Sequence, residues 1–332
     1  MALDKGKFVI GMDVGGTKIL TVLLNSNFEV VHETKAKVDA GKGEKTFFET
    51  VEKSIETVLA EAKVGRDMVS AMGMGCPGMF KMPQGVVKLS PNLPFLKNTP
   101  LKSKLSKMTK WTVAVENDVN AGLYGEQRLG AAKGVKHVAG FFLGTGVGGA
   151  LIIDGKLHRG ASGGAGEVGH TFLALPTFME GAPKEGTVEA TLGRTRIAAD
   201  AAVLLMKGLA PGLHGIVGYD VKKIKSNAIA RAIKSGDSAL HELIVLKAQA
   251  LGIAMANVVN LLNPSLIVLG GGLMEAMGDI ILPAARDTMR KYAMGPLVED
   301  VKVVAAKLKD HSVAMGAAKL AVEALEGGED HA

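Results

Sequence analysis

The feature that most constrains this chain is a strand, a glycine corner and a returning strand that occurs once in each half. Phe8 to Leu24, FVIGMDVGGTKILTVLL, sets two β-prone apolar runs around Asp13, Gly15, Gly16, Thr17 and Lys18. From His137 the run VAGFFLG, the corner Thr145-Gly146-Val147-Gly148-Gly149 and the run ALIIDG repeat the pattern. Run, corner and run read as a hairpin. Adjacent glycines predict positive φ and backbone N–H groups turned outward, which can hold a phosphate. Two copies predict an internally duplicated α/β fold with one phosphate hairpin per half.

Asp13 closes the first strand, where a carboxylate costs stability unless a cation, water or a donor faces it. Magnesium bound to nucleotide phosphates, reached through water, suits that position. Gly144, Gly146 and Gly149 also spell G-x-G-x-x-G, but a dinucleotide-binding turn must open a helix, and here the β-prone ALII follows. A P-loop motif is absent.

With 332 residues, two domains are expected. A hydrophobic share of 47% beside 22% charged residues excludes a disordered or fibrous chain. The net charge of +6 favours anionic ligands such as nucleotides and also allows weak nucleic-acid or polyphosphate binding, between which charge alone does not choose. Its densest basic run, Lys97, Lys102, Lys104, Lys107 and Lys110, reads as a solvated surface rather than a nucleic-acid site. A single cysteine, Cys76, excludes an internal disulfide and a cysteine-rich metal site, in keeping with the cytoplasm. MALDKGKF runs directly into a strand, so no export signal is expected. Ala248 to Met274 lacks formal charge, but Gln249, Asn257, Asn260, Asn263 and Pro264 interrupt it. A buried helix followed by a strand is expected there, and no membrane partner.

In chain order, Glu29 to Val38 alternates as a third antiparallel strand. Glu44 to Lys63 predicts a helix burying Phe48, Val51, Ile55, Val58, Leu59 and Ala62. A strand over Val69 to Gly75 ends in Cys76-Pro77-Gly78, a loop covers Ser90 to Pro100, and Leu101 to Met108 is a short helix. The strand Trp111 to Val115 ends at Glu116-Asn117-Asp118, and a helix spans Asn120 to Leu129. Polar residues directly after a buried strand stand where α/β sheets hold ligands. The glycine-rich stretch Arg159 to Gly169 brings Glu167 and, beside it, His170. Glu189 to Leu205 and Lys222 to Lys234 read as helices around a loop at Gly208 to Gly218. A long helix from Leu240 to Leu262 stops at Asn263-Pro264. Ser265 to Leu269 runs as a strand into Gly270-Gly271-Gly272, where missing side chains would let a flat ring lie on the backbone, and a helix over Ser312 to Leu325 closes the chain.

These motifs resemble those of the ROK family (repressors, open reading frames and kinases) of the actin-like ATPase superfamily. Asp13-Val-Gly-Gly-Thr-Lys18 is similar to its first phosphate motif and Gly144-Thr-Gly-Val-Gly-Gly149 to its second. Glu116-Asn-Asp118 resembles the catalytic segment, Gly166-Glu-Val-Gly-His170 the sugar-binding signature, and Asn263-Pro to Gly270-Gly-Gly272 the adenosine region. The resemblance covers nearly the whole chain. It implies two RNase H-like α/β domains flanking a cleft, here residues 1–119 with 312–328, and 120–311. It implies ATP and magnesium as cofactors, a hexose as acceptor, and a homodimer.

By this resemblance Asp118 is the general base toward the sugar 6-hydroxyl. Asn117, Glu167, His170 and Glu189 bind the other hydroxyls, with Gly78 and Asn92 as further substrate residues. The residues alone also allow simpler roles: Asp118 as a helix N-cap, His170 as a core histidine, Glu189 as a first-turn acid and Lys18 as a surface cation near phosphate. In one respect the chain departs from the family. Many members follow the signature histidine with three zinc-binding cysteines, and here Glu180, Ala182 and Thr187 occupy those positions while Glu189 falls on the family's glutamate. No zinc site is therefore expected.

The expected activity is phosphorylation of a hexose, glucose first, at its 6-hydroxyl by ATP. An N-acetylglucosamine or N-acetylmannosamine kinase, a polyphosphate-dependent glucokinase and a non-catalytic sugar-binding protein are the alternatives. A sugar-responsive transcription regulator is disfavoured, since only Met1 to Lys7 precede the first strand.

Overall fold

The structure is a computed structural model that describes residue 4 and residues 6–174 and 186–327. β1 (Phe8–Val14) returns antiparallel as β2 (Lys18–Leu24), and β3 (Val30–Lys37) extends the meander. After α1 (Gly43–Ala62), β4 (Val69–Cys76) pairs parallel with β1. A small hairpin of β5 (Met79–Lys81) and β6 (Val86–Leu89) and the helix α2 (Leu101–Thr109) lead to β7 (Thr112–Asn117). β7 pairs parallel with β4 and runs straight into α3 (Asp118–Leu129). The sheet order is β3-β2-β1-β4-β7.

The plan then repeats. β8 (Val138–Leu143), β9 (Val147–Ile153) and β10 (Lys156–Leu157) are followed by α4 (Val188–Leu192), α5 (Arg194–Met206), α6 (Pro211–Val217), α7 (Ser226–Lys234) and α8 (Ser238–Leu262). β11 (Leu266–Gly270), α9 (Gly272–Tyr292), α10 (Gly295–Val298), β12 (Lys302–Ala305) and α11 (Ser312–Leu325) complete the chain. The second sheet has the order β10-β9-β8-β11-β12, with β11 parallel to both β8 and β12. Each sheet is thus three strands consecutive in the chain extended by two parallel strands, which is the duplication the two hairpins predict.

Two compact units result. The first runs to Gly134 and takes in Leu151–Ala165 and the C-terminal segment from Asp310; the second holds Val135–Ala150 and the described residues from Gly166 to Lys309. α3 belongs to the first unit, whereas the boundary expected from the sequence divides it before Asn120. The cause is backbone contact between α3 and α11: a Cβ on Gly316 would stand 1.8 Å from Ala121 O. In the same unit α11 lies directly on the sheet, where a Cβ on Gly73 would stand 1.8 Å from Ala317 O. The core between α1 and the sheet is built from Ile10, Met12, Ile19, Val51, Ile55, Met72 and Met74. On α1 it is Phe47, not Phe48, that is fully enclosed.

In the second unit, the expected single helix from Glu189 breaks at Gly193 into α4 and α5. The expected loop at Gly208 to Gly218 contains α6, which opens on Pro211. Its first turn is secured from a distance, because the Asp237 carboxylate accepts the N–H groups of Gly212 at 3.0 Å and Leu213 at 2.7 Å. α9 and β12 fall in a stretch left unassigned by periodicity, and Pro283 inside α9 hides the helical pattern. α8 is long and apolar enough to cross a bilayer, yet Ile244, Leu251, Met255 and Val259 on it are packed inside the second unit.

Candidate active site

In the first unit the parallel strands β1, β4 and β7 end side by side: Asp13 pairs with Gly75, Gly75 with Glu116, and Cys76 with Asn117. The hairpin turn at the end of β1 closes through Gly15 N–H donating to Lys18 O at 2.8 Å. Neither Gly15 nor Gly16 adopts the positive φ that the sequence suggests. Gly16 lies close to its neighbour instead, since a Cβ there would stand 3.3 Å from Cβ of Asn92. Thr17 and Lys18 are exposed on the turn, and Asn92 is exposed beside it.

Burial, and then the Asp118 carboxylate, push the Asp13 carboxyl up to about 7, against the opposing pull of Lys18; Asp310 adds to the rise. Three acidic groups with one lysine nearby form a place short of positive charge, which a magnesium ion held by Asp13 through water would supply. The donor set therefore fits that ion.

Asn117, not Asp118, caps α3. Its Oδ1 accepts from the N–H groups of Val119 at 2.9 Å and Asn120 at 3.1 Å, while its Nδ2 donates to Gly78 O at 3.0 Å. The carboxamide expected to bind sugar is thus largely committed to the turn, with one amide N–H left over for a hydroxyl. Gly78 has φ +134 and lies so close to Leu89 O that only glycine fits, so its carbonyl serves Asn117. Asp118 is the first residue of the helix, and its Oδ1 accepts from Val119 N–H at 3.0 Å.

Sequence reasoning missed what supports this turn. Glu116 is 2% exposed; its Oε1 accepts from Asn117 N–H at 2.9 Å and Asn120 Nδ2 at 3.1 Å, and its Oε2 from Arg159 Nε at 2.7 Å. An acid at the end of a buried strand was the available signal for Glu116. Nothing in the sequence marked Arg159.

In the second unit Gly144 N–H donates to Gly146 O at 2.9 Å, forming the turn of the second hairpin. Glu189 lies on it: a Cβ on Gly146 would stand 2.0 Å from Glu189 Oε2, and that oxygen accepts from Val147 N–H at 3.1 Å. Glu167 and His170 flank a single helical turn, their side chains half-exposed and 3.8 Å apart, which excludes a core histidine. Of the three glycines that end β11 and follow it, Gly270 and Gly271 fill internal contacts with the Phe142 ring and the Leu143 backbone. Only Gly272 borders open space, so the surface for a flat ring is narrower than expected.

Glu180, Ala182 and the apolar residues Leu175, Phe178 and Met179 lie outside the described residues. Among the described residues on either side, Leu173 N–H donates to Gly186 O at 2.8 Å and Val188 N–H to Thr171 O at 2.9 Å. Thr187, at a family cysteine position, caps α4 by accepting from Ala190 N–H at 3.1 Å. Phe172, two residues after the signature histidine, is 49% exposed. The sole thiol, Cys76, is buried in the first unit's sheet, where burial pushes it well above the usual range. A three-thiolate zinc site does not fit this chain.

Comparison with known proteins agrees with the fold. The model of the ROK family matches residues 9–324. The chain is 29% identical to a glucokinase of Thermotoga maritima over 323 residues, covering 96% of this chain and 98% of that one. It is likewise 29% identical to a xylose repressor of Caldicellulosiruptor bescii over 312 residues, 93% of this chain and 76% of the repressor. Among solved structures, a ROK family glucokinase from Streptomyces griseus in complex with glucose and AMPPNP superposes with a TM-score of 0.80 at 28% identity, covering 95% of this chain and 99% of that one. The duplicated actin-like sheets, the motifs in their order and a family match from end to end place this chain in the ROK family, among its sugar kinases.

Proposed function

We propose that this sugar kinase transfers the γ-phosphoryl group of ATP to the 6-hydroxyl of a hexose, with glucose the first candidate. The observation that carries this reading is the division of labour at the end of β7: Asn117 caps the helix, and Asp118 stands at its first position beside Asp13 and the Gly15–Lys18 turn. Asp118 accepts the proton of the 6-hydroxyl as that oxygen attacks phosphorus in line and the bond to ADP breaks. In the first unit Lys18 and the N–H groups of Gly16 and Thr17 suit phosphate oxygens, in the second the N–H groups of Thr145 and Gly146 do, and Gly272 is the glycine open enough to border an adenosine. Magnesium at Asp13 would supply neutralisation of phosphate charge. In the second unit Glu167, His170 and the second oxygen of Glu189, and in the first the remaining amide N–H of Asn117, are donors and acceptors of the kind that sugar hydroxyls pair with.

Glucokinase and repressor relatives share this fold, so substrate choice is decided by assay. A panel of glucose, mannose, N-acetylglucosamine and N-acetylmannosamine, each with ATP and with polyphosphate, should give sugar phosphate and ADP fastest with glucose and ATP. Turnover confined to an N-acetylhexosamine, or to polyphosphate, would replace the reading. We also infer a homodimer in the cytoplasm. Leu246 (62% exposed), Ile253 (39%) and Leu261 (81%) recur along α8, an apolar row suited to a second copy. Light scattering that returns a monomer at micromolar concentration would remove that part.

A further inference from the structure

The first hairpin carries its own cation, Lys18, but no residue from Gly144 to Gly149 in the second is charged. The fold brings a cation to it from elsewhere in the second unit. Arg194, the first residue of α5, donates from Nη2 to Thr145 Oγ1 at 2.7 Å and from its backbone N–H to Gly144 O at 3.1 Å. This approach depends on Gly193, where a Cβ would stand 2.9 Å from Thr145 O. It also depends on the break between α4 and α5 at that glycine, which turns the start of α5 toward the hairpin. From the other end of α4, Glu189 accepts Val147 N–H at 3.1 Å, so residues 189–194 grip the turn on both sides.

Arg194 is exposed, and among the described residues no carboxylate pairs with its guanidinium. Its neighbour Arg196 is by contrast bound to Asp200 at 2.9 Å. Of the five N–H donors of a guanidinium, the bond to Thr145 uses one and fixes the group's position on the turn. A planar fork with unspent donors, held against a glycine turn, is built to bind phosphate oxygens in pairs. We propose that Arg194 is a phosphate-binding residue of the nucleotide site, contacting the terminal phosphates of the donor while Thr145 holds it in place. The proposal rests on the kinase reading above.

Binding of ADP, measured by titration calorimetry in the presence of magnesium, tests it on the full chain. Arg194→Met should weaken ADP by ~10–100-fold, the usual worth of charge-assisted bonds, and should flatten the salt dependence of binding. Arg194→Lys should recover part of the loss, because it keeps the charge without the fork. Thr145→Val should cost less than Arg194→Met, and glucose binding without nucleotide should stay within about two-fold in every variant. The proposal is overturned if Arg194→Met binds ADP as the wild type does, or if Thr145→Val loses as much, since the arginine would then act only by shaping the turn. Should Arg194→Met not fold, Arg194→Lys decides, and unchanged ADP affinity there removes the paired contact. A wild-type protein that binds no ADP at all would instead overturn the kinase reading, so the two failures are distinct.

Discussion

Arg159 Nε and Glu116 Oε2 lie 2.7 Å apart in a nearly closed part of the first unit, the two side chains 16% and 3% exposed. The other oxygen of Glu116 holds the Asn117 N–H and the Asn120 side chain, so one carboxylate joins the glycine-rich stretch to the turn bearing Asp118. Arg159→Met should destabilise the protein by ~3–5 kcal/mol, because it leaves a buried carboxylate without its cation. Combining it with Glu116→Gln should restore much of the loss. Thermal melts in which the double variant is as weak as the single one would exclude this account.

Asp118→Asn should lower turnover by ~10²–10⁴-fold and leave the Michaelis constant for sugar within a few-fold. Because Asn117 provides the cap, the variant should melt at the wild-type temperature, whereas Asn117→Ala should cost ~1 kcal/mol of stability. Steady-state kinetics and melts on both variants check this. Near-normal turnover in Asp118→Asn would move the base elsewhere.

Asp13 links activity to stability. Its folded carboxyl sits near 7 against an ordinary 3.8, so the folded state prefers it protonated. That preference contributes stability fully below pH 3.8 and loses it as pH rises from there through 7. Asp13→Asn, neutral at every pH, should therefore raise the melting temperature by several degrees at pH 7.5 without magnesium, with a gain that shrinks toward pH 4, while phosphoryl transfer falls sharply. A variant that melts below the wild type at pH 7.5 would contradict the buried-charge explanation.

Glu189 and His170 should separate kinetically. Glu189→Ala leaves Val147 N–H without its acceptor in the second hairpin, so the Michaelis constants for ATP and for sugar should both rise, each by ~10-fold. His170, half-exposed on its own turn, has no described bond to the hairpin, and His170→Ala should raise the constant for sugar alone. Initial rates over a grid of both substrates distinguish the two patterns. An effect of Glu189→Ala on sugar only would mean that its bond to Val147 is incidental.

What the residues determined on their own was encoded locally: the apolar runs of β1 and β2, the alternation of β3, the helical period of α1 and α8, the glycine corners, and the placement of Asp13 near the end of β1 and of Asp118 directly after β7. Repetition of the strand–corner–strand pattern made the duplicated architecture legible, because a hairpin is specified within a few residues of chain. The tertiary structure decided what depends on partners distant in sequence. Asn117 rather than Asp118 became the cap because Gly78 O, across from β7, orients its amide. Arg159 and Arg194 reached their turns through loop and helix junctions that no periodicity reveals. Gly270 and Gly271 proved to be glycines for neighbouring strands more than for a ligand. A side chain's identity is written in the chain, but the group it faces is fixed only when close packing brings distant backbone within hydrogen-bond reach.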